Sequence, residues 1–542
     1  MSDDSINDGS SDPSAVGQEA PAQGFEPSAL GPVRRRTATL VYLLNQYVSV
    51  VILIVRGIII VPLFVHYIDI ALYGAWMACG NIVAWISMSE GGTSLLLQQQ
   101  TARAFGKVAH DELSQVIGSG ILLVFVLSAA ACAFGLGLSP FVSTWLGLQG
   151  GEASELSKAF SLAVVAMAAS WIWGAPRSVL QGFQRHLAIG ITSVSAESAS
   201  IVVTIVLLYK GWGLISIPIG MVFRELLNNL VLWPIFVIAL KRVKVRPSVS
   251  RSQTLSLLKL MGWTSLNRLG SSLIKNCDAF LISMFLGNRM VPVAIFTKRA
   301  WDILVVFVNR LSFSFVPGLS HLHSADGPAA YQALTNRLLT VVTASIGVGT
   351  GIAWGLNESF IQLWLGHDFF AGRVYNSLLG VATFVGVIAF TVSQILLSAN
   401  NIRGSAIGQT GMNVARLLVL LLTISYVEIL SIPISTILAF IFVGAPYFLR
   451  QWRKTLGFSD RQMGLQLWVI GRAVAIAVIL GLIWSTYVPL AESWLLLVGQ
   501  GVALLAILLA AYYAVDPAIR GEMRNLIGFV GRYVGRSAKR DG

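Results

Sequence analysis

Val50-Val51-Ile52-Leu53-Ile54-Val55-Arg56-Gly57-Ile58-Ile59-Ile60 sets one arginine in the middle of an apolar run covering about residues 39–65. A run of this length crosses the roughly 30 Å hydrocarbon core of a bilayer as a helix, because only a helix satisfies its own backbone hydrogen bonds there. Similar runs recur at about 71–95, 113–138, 159–181, 187–209, 213–240, 255–286, 291–320, 333–356, 375–399, 404–426, 429–449, 464–488 and 493–514. They predict an all-α polytopic membrane protein with about fourteen transmembrane helices. Of the 542 residues, 55% are apolar and 12% charged, about half the charged share of a soluble domain. A soluble globular enzyme is thereby excluded.

The formal net charge is +13. The basic residues fall in short clusters between apolar runs, which suits membrane loops rather than nucleic acid. Of the 38 Lys and Arg, 25 share a side with Arg34-Arg35-Arg36; Lys158, Lys210, Arg289 and Arg373 fall opposite, and nine lie inside helices. This bias predicts both termini in the cytoplasm. The longest outward loop is expected around Ser139 to Lys158. Residues 1–36 are acidic at first and rich in Ser, Gly and Pro, and read as a disordered cytoplasmic tail. Residues 515–542 form a basic amphipathic tail suited to an anionic lipid surface. Cys79, Cys132 and Cys277 match no zinc or redox spacing, so neither metal nor cofactor is expected. The phosphate-binding loop of nucleotide hydrolases does not occur.

The chain also resembles itself. Phe141-Val142-Ser143-Thr144-Trp145-Leu146-Gly147 matches Phe360-Ile361-Gln362-Leu363-Trp364-Leu365-Gly366, Leu180 to Arg185 matches Leu397 to Arg403, and Ser216-Ile217-Pro218-Ile219 matches Ser431-Ile432-Pro433-Ile434. Six helices per repeat give two bundles in the same orientation, related by an axis along the membrane normal, with the substrate site expected between them. The expected units are 37–248 and 249–450 for the two bundles and 451–514 for two additional helices.

Pro62-Leu63-Phe64-Val65, Leu72-Tyr73-Gly74-Ala75-Trp76 and Ser89-Glu90-Gly91-Gly92, with Gln98, Ala102 and Arg103, recur in a recognisable order. Asp278-Ala279-Phe280-Leu281-Ile282, Phe285-Leu286-Gly287 and Pro317-Gly318-Leu319-Ser320 follow in the second half. Over about residues 37–450 the chain resembles the polysaccharide flippase (Wzx-like) branch of the multidrug/oligosaccharidyl-lipid/polysaccharide exporter superfamily. Where that family has an acid, one residue and then Gly-Leu, this chain has Glu90-Gly91-Gly92-Thr93. The resemblance implies a bacterial inner-membrane transporter, not an enzyme. It would move an undecaprenyl-diphosphate-linked oligosaccharide outward by alternating access, for lipopolysaccharide or exopolysaccharide synthesis, alongside a polysaccharide polymerase and glycosyltransferases. A lipid II flippase and a multidrug exporter of the same superfamily are the rival readings, and a membrane glycosyltransferase is a distant one.

Fourteen ionisable residues fall inside the predicted helices, nine of them cations. Each costs roughly 2.5–3.5 kcal/mol at mid-membrane on insertion scales, so most should face protein or water. Arg56 lies about 24 Å beyond Leu40 at 1.5 Å per residue, deep in its helix. Treating helices seven and eight as a hairpin turning near Asn288 sets Asp278 opposite Arg299 and Lys275 opposite Asp302, two structural ion pairs. Arg268 and Arg310 then lack acids. Arg472, Arg416 and Glu197 read as snorkelling or structurally paired. An unpaired cationic interior suits a phosphate-bearing substrate, since guanidinium forks match phosphate oxygens. Arg56, Arg268 and Arg310, then Lys275, Lys298 and Arg299, are the expected head-group contacts. Glu90 and Glu197 are the candidate ion-coupling acids.

Overall fold

The computed structural model describes residues 56–261, 277–325 and 327–524, with Val48 and Ile52. The tail 1–36, Arg268, Lys275 and the chain beyond 524 lie outside the described residues. The first half comprises α1 (Arg56–Tyr67), α2 (Ile70–Ser87), α3 (Thr93–Gly106), α4 (His110–Trp145), α5 (Gly150–Gly182), α6 (His186–Tyr209), α7 (Ser216–Val243) and α8 (251–261). The second comprises α9 (Asp278–Leu286), α10 (Met290–Ala325), α11 (Gly327–Leu365), α12 (Arg373–Ser398), α13 (Ile402–Val427), α14 (Ser431–Ala439) and α15 (Ala445–Leu456). α16 (Asp460–Tyr487) and α17 (Trp494–Val515) follow, and residues 517–524 are helical. The described residues contain no strand, and eleven of their helices are long and apolar enough to cross a membrane. The protein is a multi-pass membrane protein.

The repeat is written in the backbone. A 3-10 turn, Gly213–Ile215, leads into α7, and another, Glu428–Leu430, leads into α14. After α5 the chain turns through Gln184 at φ 60°, and after α12 through Asn400 at φ 58°. The N–H of Arg185 returns to the carbonyl of Leu180, and that of Asn401 to Leu396. These identical turns align Arg185 with Asn401, not with Arg403 as the sequence match suggests. Backbone closure fixes that register, whereas two arginines two residues apart match only by type. The halves differ at their last span: α7 is one helix of 28 residues, whereas α14 and α15 are joined by a π-turn, Phe440–Gly444.

Three boundaries correct the sequence reading. The loop expected around Ser139 to Lys158 is mostly helix, because α4 continues through Pro140 to Trp145 and α5 begins at Gly150. The hydroxyl of Ser139 donates to the carbonyl of Ser157 at 2.9 Å and meets that of Ser161 at 2.7 Å, tying the extended ends together. The second predicted helix stops at Ser87, where Gly91 and Gly92 turn the chain with φ 64° and 78° into α3. Two successive left-handed residues are tolerated there because neither has a Cβ. Finally, the start of the basic tail is docked onto the protein: Asp516, fully buried, holds Arg472 at 2.9 Å, and Glu522 holds Arg337 at 2.9 Å.

α16 and α17 pack on α11 along a stripe of small residues. A Cβ on Gly347 would meet the Tyr512 hydroxyl, and on Gly351 or Gly355 the side chains of Leu508 or Leu504. In lipid, where apolar side chains gain nothing by leaving the solvent, such close backbone approach is what binds helices together. Tyr512 adds a hydrogen bond of 2.7 Å to the carbonyl of Ala473. Gly351→Val is expected to destabilise the fold by about 1–3 kcal/mol through overpacking. Gly137→Val, at a site with no neighbour within 4 Å, should leave the melting temperature nearly unchanged in the same detergent.

Candidate functional site

Each bundle carries a chain of charges inside it. In the first, the Glu197 carboxylate on α6 bridges Arg56 on α1 at 2.5 Å and Arg224 on α7 at 3.1 Å. Arg224 also holds Glu225, only 1% exposed, at 2.6 Å. Two acids and two guanidiniums on three helices thus cancel within one bundle. Arg56 is therefore not the unpaired cation that its sequence surroundings suggest. Its partner lies 141 residues away, a separation that hydropathy cannot reveal. Glu197, expected to be either paired or ion-coupling, is held between two arginines and ties helices together.

In the second bundle Asp278, at the start of α9, accepts hydrogen bonds from Arg416 on α13 and, at 3.3 Å, from Lys298 on α10. Arg416 also donates to the Thr436 hydroxyl on α14 at 3.0 Å. Asp302 stands 3.8 Å from Lys298, one turn away on the same helix. Asp278, Lys298, Asp302 and Arg416 line a cavity of about 330 Å³ with Asn309 and Asn413. The expected Asp278–Arg299 pair is replaced by Asp278–Lys298. Depth was right to within one residue, but adjacent helical residues point about 100° apart. That rotation turns Lys298 into its own bundle and Arg299 out of it. The expected partner of Asp302, Lys275, is outside the described residues, and Lys298 takes that place.

Arg299 faces the other bundle. Its guanidinium lies so close over α1 that a Cβ on Gly57 would stand 2.8 Å from Nη2. It forms no ion pair or hydrogen bond among the described residues. With Arg56 it is among the charges acting on the Tyr73 hydroxyl. Arg299 thus lies over the glycine that follows Arg56; Arg56 is paired with Glu197, whereas Arg299 acts on the Asp302 carboxylate of its own helix only from beyond ion-pair distance. Arg310, three turns further along α10, is exposed and likewise has no acid partner among the described residues. Glu90 belongs to neither network: one carboxylate oxygen accepts the Ser94 N–H at 2.8 Å and caps α3. This hydrogen bond places Glu90 at the start of α3, away from both ion networks.

One turn from Arg299, Phe296 joins an aromatic seal between the halves. Its ring lies 6.3 Å from Tyr73, 5.6 Å from Trp364 and 5.7 Å from Phe369. The Trp364 indole donates to the Ile58 carbonyl at 2.7 Å, Asn288 donates to the Leu146 carbonyl at 2.9 Å, and Asn81 accepts the Phe280 N–H at 3.0 Å. These contacts close the halves together at the end bearing the short loops. The Arg299–Gly57 contact lies just inside the closure. In the sequence Asn288 marks only the hairpin turn and Trp364 only the repeat. Neither position reveals the acceptor it reaches across the bundles.

The family described as polysaccharide biosynthesis protein matches residues 40–322. No characterised protein sequence matches the chain significantly. Among solved structures, the lipid II flippase MurJ in an inward closed conformation superimposes with TM-score 0.67 at 15% identity, over 88% of this chain and 99% of that one. An inward-facing multidrug resistance MATE family transporter of the MOP superfamily gives TM-score 0.57 at 13% identity, over 78% and 96%. A MATE protein in complex with MaD3S gives 0.53 at 13%, over 81% and 100%. At these identities the likeness establishes the fold: two parallel-repeat bundles with a cleft between them.

The two kinds of arginine should separate in stability. Glu197→Ala leaves Arg56 and Arg224 without their shared acid and is expected to cost on the order of 1–3 kcal/mol, less than a fully buried pair because the three side chains keep some exposure. Arg299→Ala breaks no ion pair and should leave the melting temperature and membrane abundance near those of the parent.

Proposed function

Since the chain belongs to the polysaccharide biosynthesis protein family, we propose that it is an inner-membrane flippase for an anionic oligosaccharide carried on a lipid diphosphate. In this reading both termini lie in the cytoplasm and the substrate moves outward. The observation that carries it is Arg299, a guanidinium without an acid partner among the described residues, placed between the bundles beside Arg56 and Gly57. A guanidinium binds phosphate oxygens through two parallel hydrogen bonds, and the bond strengthens where water is scarce. Gly57, without a Cβ, lets the Arg299 guanidinium lie against α1. A cationic drug would be repelled by the same two arginines, which sets this reading ahead of drug export.

The mechanism follows from the charge arrangement. The diphosphate enters from the side bearing the basic loops and meets Arg299 beneath the aromatic seal. Arg56 stays anchored by Glu197, so the anion adds to a positioned guanidinium without having to order it. Opening the far side requires Trp364, Asn288 and Asn81 to release their partners across the cleft, while the ion networks within each bundle stay intact. Each bundle can then rock as a unit, because its ion pairs run between helices of the same bundle.

Two outcomes test this. In proteoliposomes carrying a diphosphate-linked oligosaccharide, Arg299→Ala should lower flipping at least about tenfold, and Arg299→Lys should restore part of it by keeping charge without the fork. Unchanged flipping in Arg299→Ala would overturn the assignment. The pair Asn288→Ala and Trp364→Phe should make a cysteine placed at Phe296 react faster with an impermeant thiol reagent applied from the short-loop side. No acceleration would show that these bonds do not hold the closure.

A further inference from the structure

A second basic cavity opens at the other end of the second bundle, on its outer flank. Asn400 at φ 58° ends the turn after α12, and Asn401 caps α13 by accepting the Gly404 N–H at 2.8 Å. The Asn401 amide also donates to Gln451 at 3.1 Å and to Thr455 at 2.8 Å, bracing the first turn of α13 against α15. Between these elements lies a cavity of about 660 Å³, lined by Arg403 from α13 and by Tyr447 and Lys454 from α15. Neither Arg403 nor Lys454 forms an ion pair among the described residues, whereas their neighbour Arg453 is paired with Asp460 at 2.8 Å. Two uncompensated cations therefore converge on a concave surface beside the positive end of a helix.

The cavity is apolar on its remaining side. Ile407 lines it and is exposed, and Val414, Leu418 and Leu422 continue the exposed row along α13. Spacings of seven, four and four residues hold these side chains on one face. A polar, doubly cationic pocket at the basic-loop end of a helix, opening onto an apolar track toward the bilayer middle, has the two-part chemistry of a phospholipid. Inorganic phosphate would use the pocket and ignore the track.

We propose that the cleft between α13 and α15 is a binding site for one anionic phospholipid, its phosphate between Arg403 and Lys454 and an acyl chain along Ile407, Val414 and Leu418. The site is separate from the cleft between the bundles, and its occupant stays in its own leaflet. The lipid would brace α15 below the π-turn that joins it to α14, the point where the second bundle departs from the first.

Native mass spectrometry of the full chain released from detergent, with phosphatidylglycerol or phosphatidylcholine of the same acyl chains added, reads the site directly. The parent protein should bind its first phosphatidylglycerol at least about tenfold more tightly than phosphatidylcholine, from roughly fivefold per basic residue near a lipid phosphate. Arg403→Gln with Lys454→Gln should reduce this preference to near unity. Both side chains are exposed and without ion pairs, so the lipid-free melting temperature should not change. Ile407→Gln should weaken lipid binding while both cations remain. A preference for phosphatidylglycerol that persists undiminished in the double variant, or displacement of the lipid by millimolar inorganic phosphate, would overturn the proposal; the second result would assign the pocket to free phosphate.

Discussion

An ionised group held inside a membrane protein needs an opposite charge nearby, because the low dielectric around it offers little else to stabilise it. In this chain the requirement is met separately within each bundle. Glu197 gathers Arg56 and Arg224 from two other helices, and Asp278 gathers Arg416 and Lys298. The two networks fix how helices pack within a half and pair Arg56, Arg224, Lys298 and Arg416 with acids of their own half. Arg299 escapes this matching because it points across the cleft. Its lack of an ion pair among the described residues is the feature on which the proposed anion site rests.

Internal neutralisation also decides what can move. Breaking a buried pair by removing one partner is costly, so motion that opened either network would be expensive. The contacts across the halves are of another kind: single hydrogen bonds from Trp364, Asn288 and Asn81, and aromatic rings meeting edge to face. Each contributes about 1 kcal/mol or less to stability. The weak links therefore lie between the bundles and the strong ones within them, the distribution that a rocking transporter requires. The π-turn between α14 and α15 adds a local asymmetry, since π-turns inside helices often occur at functional positions. It lies below Thr436, which supports Arg416.

The C-terminal helices illustrate the same economy of contact. α17 offers Leu504, Leu508 and Tyr512 to a face of α11 stripped to glycine at positions 347, 351 and 355. Hydropathy identifies α16 and α17 as spans but says nothing of where they dock. The glycines sit on α11, more than a hundred residues earlier, and their spacing acquires meaning only once the partner helices are known. Arg472 and Asp516 then secure the end of the pair, which is why the following residues do not start as a free tail.

The sequence by itself determined the class of the protein, its approximate span boundaries, its internal repeat and the number of charges placed in the membrane. These properties depend on local composition and period, which a single chain displays. It left Arg416 and Arg472 as snorkelling or paired, of which the structure shows pairing, and brought Asp278 to within one residue of its partner Lys298, since depth along a hairpin is a matter of counting. What only the tertiary structure decided was facing and long-range partnership: that Arg56 belongs to Glu197, that Lys298 and Arg299 serve opposite sides of one helix, and that Glu90 caps α3. A rotation of about 100° between neighbouring residues separates a structural cation from one left open to a ligand. Hydropathy averages over that rotation, and only packed helices resolve it.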